Sequence, residues 1–174
     1  VHPTLRESAR VGGRLTCISG LALHGFWSVP SAILHVAVSR DACRLRARTN
    51  SQLRLAELER PEVRVHWGDN DDGTRFQLAP IACLRHLIAC QRAEIVTAVA
   101  DSVLYERPWL ASEWRELVAS SPLVDRSWLT RIDGVCESGI ESMWWFGMRG
   151  FGLPISRQVH IAGVGRVDFL VGTR

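Results

Sequence analysis

At 174 residues and 19.5 kDa, with 47% hydrophobic and 22% charged residues, the chain can form one ample or two small cored domains and is not composed like a disordered protein. A net charge of +3 is too small to argue for a nucleic-acid partner by itself, and no apolar run approaches the roughly 20 residues that span a bilayer, so no membrane role is expected. All 21 basic residues are arginine, which leaves no lysine as a catalytic base or metal-site partner. The opening Val1 and a final segment ending within a strand-like pattern read as an internal piece of a longer protein.

In chain order, Val1 to Ala9 reads as a helix with Pro3 in its first turn, broken by Gly12-Gly13. Leu15 to Phe26 carries Leu15, Ile18, Leu21, Ala22 and Phe26 at helical spacing. Ile33 to Ser39 suits a mostly buried strand. Arg44, Arg46 and Arg48 recur with period two and give the next extended piece a basic face. With Arg40, that row either meets phosphates or protects an edge strand. Val63 to Trp67 is a further strand, closed by a turn at Asp69-Asn70-Asp71-Asp72-Gly73, which echoes a calcium loop without its alternating ligands or closing Glu.

From Pro80 the period is helical. Ile81, Leu84, Leu87 and Ile88 line one helix, Ile95, Val96, Val99, Val103 and Leu104 a second, and Leu110, Trp114, Leu117 and Val118 a third. Leu123 to Ile132 forms a short fourth, and Asp133-Gly134 marks a boundary. Two domains are therefore expected, 1–133 and 134–174, in a mixed α/β (α+β) chain with a helical second half to its first domain.

Ser138-Gly139-Ile140-Glu141 fits a capping box, so Glu141 has a structural use at a helix start. Ile140, Met143, Trp144, Gly147, Met148 and Phe151 form a stripe expected to pack on a sheet, ended by Gly152-Leu153-Pro154. Arg157 to Val171 then reads as a β-hairpin turning through Gly163 and Gly165. Asp168 interrupts its second strand, either facing solvent or paired with a cation, because a desolvated carboxylate is costly.

The cysteines, Cys17, Cys43, Cys83, Cys90 and Cys136, are scattered and form no Cys-x-x-Cys pair. A zinc knuckle or redox motif is not expected; buried thiols in a reducing cytoplasm are. His24 reads as a core or capping residue. His35, His66, His86 and His160 show no metal spacing, and no Ser or Cys lies in a nucleophile motif.

The segment from Glu137 to Val171 resembles the start of the very-short-patch-repair-like endonucleases, a branch of the PD-(D/E)xK superfamily. The residues that carry this are Glu141 on the helix, Arg157-Gln158, and Val167-Asp168-Phe169-Leu170. The resemblance implies a restriction-endonuclease-like helix and hairpin in which Asp168 binds Mg²⁺, Glu141 assists, and the ion polarises a DNA phosphate and activates water. The family's next strand, with Glu-x-Lys or Glu-x-Asp-Gly, is not in the sequence, so the domain reads as truncated and the fragment as inactive. Trp145 and Phe146 depart from the polar residues usual on that helix.

Val11 to Gly25, followed by Leu34-His35-Val36-Ala37-Val38, resembles the middle domain of AbiEi-type antitoxin regulators, which implies DNA and a toxin protein as partners. Two functions stay open. The leading one is a bacterial, cytoplasmic Mg²⁺-dependent DNA endonuclease in the full-length parent, with Glu141 and Asp168 catalytic and Arg149, Arg157 and Arg166 contacting phosphate. The other is an antitoxin or transcriptional regulator whose nuclease-like fold only binds DNA or protein.

Overall fold

The computed structural model describes residues 2–68, 72–121 and 127–172 and is a mixed α/β structure, as the pattern of elements predicts. It divides into two compact units, Val1–Cys90 and Gln91–Arg174. The division falls earlier than the boundary expected at Asp133. The reason is that helix α4 (Ala93–Glu106) packs against helix α6 (Gly139–Met148), which ties the middle helices to the C-terminal segment.

The first unit opens with α1 (Pro3–Val11), whose N-terminus is capped by the His2 ring accepting from the Thr4 N–H at 3.3 Å. Gly12, at φ 102°, ends the helix in the left-handed conformation that a side chain resists. A two-residue strand β1 (Arg14–Leu15) leads into α2 (Cys17–Leu23), shorter than the helix expected from Leu15 to Phe26. Strands β2 (Leu34–Val38) and β3 (Val63–Trp67) complete a sheet of order β1-β2-β3, antiparallel then parallel. Being central, β2 is buried at every position, whereas β3 is buried at Val63 and exposed at Trp67. Val11, Leu15, Leu34, Val36, Val38 and Val63 form the core of one face. Helix α3 (Pro80–Cys90) packs on α2.

The basic extended face expected at Arg44, Arg46 and Arg48 is not a strand. Arg44 has φ 59°, which breaks the extended run, and Arg46 makes an isolated bridge to Arg54 while its N–H donates to the Val11 carbonyl. Arg48 pairs with Glu7 at 2.8 Å, while its backbone N–H donates to Glu62 at 2.6 Å. Of the turn expected after Trp67, Asp69, Asn70 and Asp71 lie outside the described residues.

In the second unit, α4 is buried from Ile95 to Leu104, and α5 (Ala111–Ser120) buries Trp114, Leu117 and Val118. Of the short helix expected from Leu123 to Ile132, a 3₁₀ turn at Leu129–Arg131 is present, and residues 122–126 lie outside the described ones. Strands β4 (Ile155–Ile161) and β5 (Gly165–Val171) form the expected hairpin, with Gly163 and Gly165 at φ 78° and 114°.

The apolar stripe of α6 is not buried as expected: Ile140 and Phe151 are each 71% exposed. The buried positions are the small residues Gly139 and Ser142, and small residues allow close helix approach. Trp144 does meet the hairpin, its ring 4.3 Å from that of Phe169. Among the described residues, no helix is long and apolar enough to cross a membrane.

Candidate functional site

Two constellations of chemically capable side chains stand out, one in each unit. In the second unit, Ser138 caps α6, its hydroxyl oxygen accepting from the Glu141 N–H at 3.2 Å and donating to the Glu141 carboxylate at 2.6 Å. The same carboxylate accepts from the Glu137 N–H at 3.2 Å. The capping use of Glu141 is therefore real. Its Oε2 also accepts from the Gln158 side-chain amide at 3.0 Å.

Gln158 stands on β4 between the pairs Arg157↔Phe169 and Val159↔Val167, opposite Asp168, and its amide reaches Asp168 Oδ1 over a long 3.5 Å. It has φ 50°, a left-handed conformation that a non-glycine residue adopts at a cost of about 1–3 kcal/mol. Gln158 Oε1 is buried and has no hydrogen-bond partner. The two acids singled out in the sequence thus share one amide. Asp168 itself is exposed, the solvent-facing alternative for that residue.

The residues present do not fit Mg²⁺ on their own. The Gln158 N–H, a donor, occupies the space between the carboxylates where a cation would need oxygen lone pairs. Among the described residues, no group of three or more acidic, His or Cys donors includes Asp168.

The three arginines expected to meet phosphate are engaged within the protein. Arg157 forms a two-pronged pair with Asp133 at 2.9 and 2.6 Å and lies over the Trp145 ring at 4.3 Å. That contact gives Trp145 a packing role. Arg166 pairs with Glu137, and Arg149 covers the Phe146 ring at 3.4 Å.

The second constellation lies wholly in the first unit: one donor atom from each of Cys17, His35, His66 and Cys90, all within 4.8 Å of one another. Cys17 is the first residue of α2, His35 lies in β2, His66 in β3, and Cys90 ends α3. In the parallel ladder His35 pairs with Arg64 and Ala37 with His66. Because side chains alternate with period two, the two histidines share one sheet face, diagonally placed. His35 Nδ1 lies 3.1 Å from His66 Nε2 and 3.8 Å from Cys90 Sγ.

The surroundings hold this group in place. Ser19 Oγ accepts from the His35 N–H at 3.0 Å. His86 stacks on His66 with centroids 4.7 Å and planes 16° apart, and its Nδ1 is 2.7 Å from Thr16 Oγ1. Burial, then the charge of Arg64, lowers His35 to about 4; burial, then its neighbours His86, His35 and Arg64, lowers His66 to about 3. Both imidazoles are neutral at pH 7 and keep a ring nitrogen lone pair. Burial, then the nearby Cys90, pushes the Cys17 thiol far up, so it stays protonated unless a cation faces it.

Sequence reasoning did not single out this group: along the chain the histidines show no metal spacing and the cysteines no Cys-x-x-Cys pair. The donors come from four elements, so no local motif exists. The available signal was subtler: Leu34-His35-Val36 and Val65-His66-Trp67 each place a histidine inside an apolar strand.

The molecule is thus a mixed α/β protein with an acid–amide–acid triplet between helix α6 and the hairpin and a four-donor thiol–imidazole cluster on one face of its three-stranded sheet. Compared with known proteins, the chain matches no family model, no curated protein and no solved structure.

Proposed function

We propose that residues 134–174 belong to a DNA endonuclease of the very-short-patch-repair-like kind, acting in the bacterial cytoplasm. The observation that supports this most is the Gln158 amide shared between Glu141 and Asp168. It brings a helix carboxylate and a strand carboxylate to one place, as the resemblance requires, through the Gln of the family's Arg-Gln pair. In this reading Asp168 is the carboxylate that faces Mg²⁺ and phosphate. Glu141 is a positioning residue that acts through Gln158. A turn of the Gln158 amide would present Oε1, now without a partner, in place of its N–H.

A second reading has its own support. With an amide donor between the acids, and Arg157 and Arg166 both ion-paired, the same segment suits an AbiEi-type regulator. Such a regulator binds DNA or a toxin protein and cuts nothing.

A plasmid-nicking assay with Mg²⁺ separates the two. The nuclease reading expects Mg²⁺-dependent nicking and its loss in Asp168→Ala. DNA binding in chelator without any nicking favours the regulator. Nicking undiminished in Asp168→Ala removes the assignment of that residue.

A further inference from the structure

We propose that Cys17, His35, His66 and Cys90 form a structural zinc site that staples α2, β2, β3 and α3 together. It stands independently of the nuclease or regulator reading, since none of its residues belongs to the hairpin.

Donor chemistry narrows the ion. Two sulfurs and two imidazole nitrogens without a carboxylate suit a borderline-soft ion and exclude the oxygen-seeking Mg²⁺, Ca²⁺ and Mn²⁺. Two thiolates and two neutral imidazoles also cancel the double charge of Zn²⁺, leaving a neutral complex. Neutrality matters here because Cys17 is 0% and His35 3% exposed, and a net charge at that depth is costly.

The spacing fits as well. A tetrahedron with Zn–S near 2.3 Å and Zn–N near 2.0 Å has donor–donor edges of about 3.3–3.8 Å. The His35–His66 and Cys90–His35 separations of 3.1 and 3.8 Å already lie close to those edges. Drawing in the remaining donors, all within 4.8 Å, takes shifts of side-chain size. So tight a group holds one ion, whereas a two-iron cluster needs its ligand pairs set apart by the cluster itself.

The role follows from the count. Four protein donors complete a tetrahedron and leave no open position for water or substrate, the signature of a structural centre. Around it, His86 stacked on His66, with the Thr16 hydroxyl at its Nδ1, fixes one ring, and Ser19 anchors the backbone of His35. These are the outer contacts that orient metal ligands. Cys17 holds φ 50°, a conformation that persists where the surroundings over-determine it.

The test is elemental analysis of the chain purified without chelator, with Co²⁺ titration of the metal-stripped wild-type protein. We expect about one zinc per chain. Co²⁺ should give intense tetrahedral d–d bands and a near-ultraviolet thiolate-to-metal charge-transfer band, and zinc should bleach both. Cys43→Ser should keep the zinc, while Cys17→Ser and Cys90→Ser should each lose most of it. Should those variants fail to fold, the wild-type Co²⁺ spectrum decides alone. A wild-type chain that is folded by circular dichroism, holds no stoichiometric metal and develops no charge-transfer band overturns the proposal. Iron in place of zinc, with the visible colour of an iron–sulfur cluster, overturns it too.

Discussion

The hydroxyl of Ser142 on α6 donates to the Asp101 carboxylate on α4 at 2.7 Å, in a setting where both residues are fully buried. The other oxygen of Asp101 accepts from the Gly134 N–H at 2.6 Å. One buried acid therefore fixes both the α4–α6 packing and the turn that leads into α6. Asp101→Ala removes the acceptor of the half-buried Gly134 N–H and leaves the buried Ser142 hydroxyl only the Ser138 carbonyl at 3.3 Å, and we expect a loss of about 1–3 kcal/mol in urea denaturation. Asp101→Asn keeps one acceptor and should lose less. Equal losses in the two variants would show that the carboxylate geometry is not what matters.

Gly134 itself is constrained twice. It has φ 73°, and a Cβ there would lie 2.7 Å from backbone atoms of both Leu104 and Tyr105. Gly134→Ala should destabilise by about 1–3 kcal/mol, combining left-handed strain with that overlap. Gly163→Ala, at φ 78° with open space around it, should carry the conformational cost alone. The comparison is a pair of thermal melts, and a smaller effect at Gly134 than at Gly163 would contradict the close approach.

Glu141 and Asp168 differ in what they support. Glu141 serves the cap and the Gln158 amide, so Glu141→Ala should cost about 1 kcal/mol of stability. Asp168 is exposed and makes one long contact, so Asp168→Ala should stay within about 0.5 kcal/mol of wild type. A large destabilisation from Asp168→Ala would mean that its role is structural, and any activity lost with it would lose its meaning.

The thiols should fall into two classes. Cys43 is exposed, while burial pushes Cys83 up to about 12 and, with the Asp101 charge adding to it, Cys136 up to about 11. Thiolate is the reactive form, so native protein at pH 8 should lose Cys43 to iodoacetamide first. Peptide mapping by mass spectrometry reads the order. Labelling of Cys83 at the rate of Cys43 would contradict its burial.

Much of the fold was legible because periodicity is a local signal. β3 spans Val63–Trp67 as read, and the hairpin follows its alternation and its two glycines. The α6 stripe was misread because hydrophobic spacing says which residues share a face, not which face is covered. Gly139 and Ser142 won the packed side because they let α4 come close and because Asp101 supplied a partner. Glu141 and Asp168 were singled out from a local pattern of helix and strand, and both contact the Gln158 amide. The thiol–imidazole cluster was not, since its members meet only through the parallel register of β2 with β3 and the helices over that face. The packing of α4 on α6 was hidden for the same reason, helix partners being invisible to a linear reading.

The positions of the four donors along the chain bear on how the first unit is made during synthesis. Cys17, His35 and His66 are translated well before Cys90, which closes α3 and the unit together. A growing chain therefore presents at most three of the four donors until the whole unit has been translated. Each closure spans a long loop whose entropy must be offset by sheet and helix packing first. Its four donors can come together only once α3 has been translated, so a complete cluster reports a complete first unit.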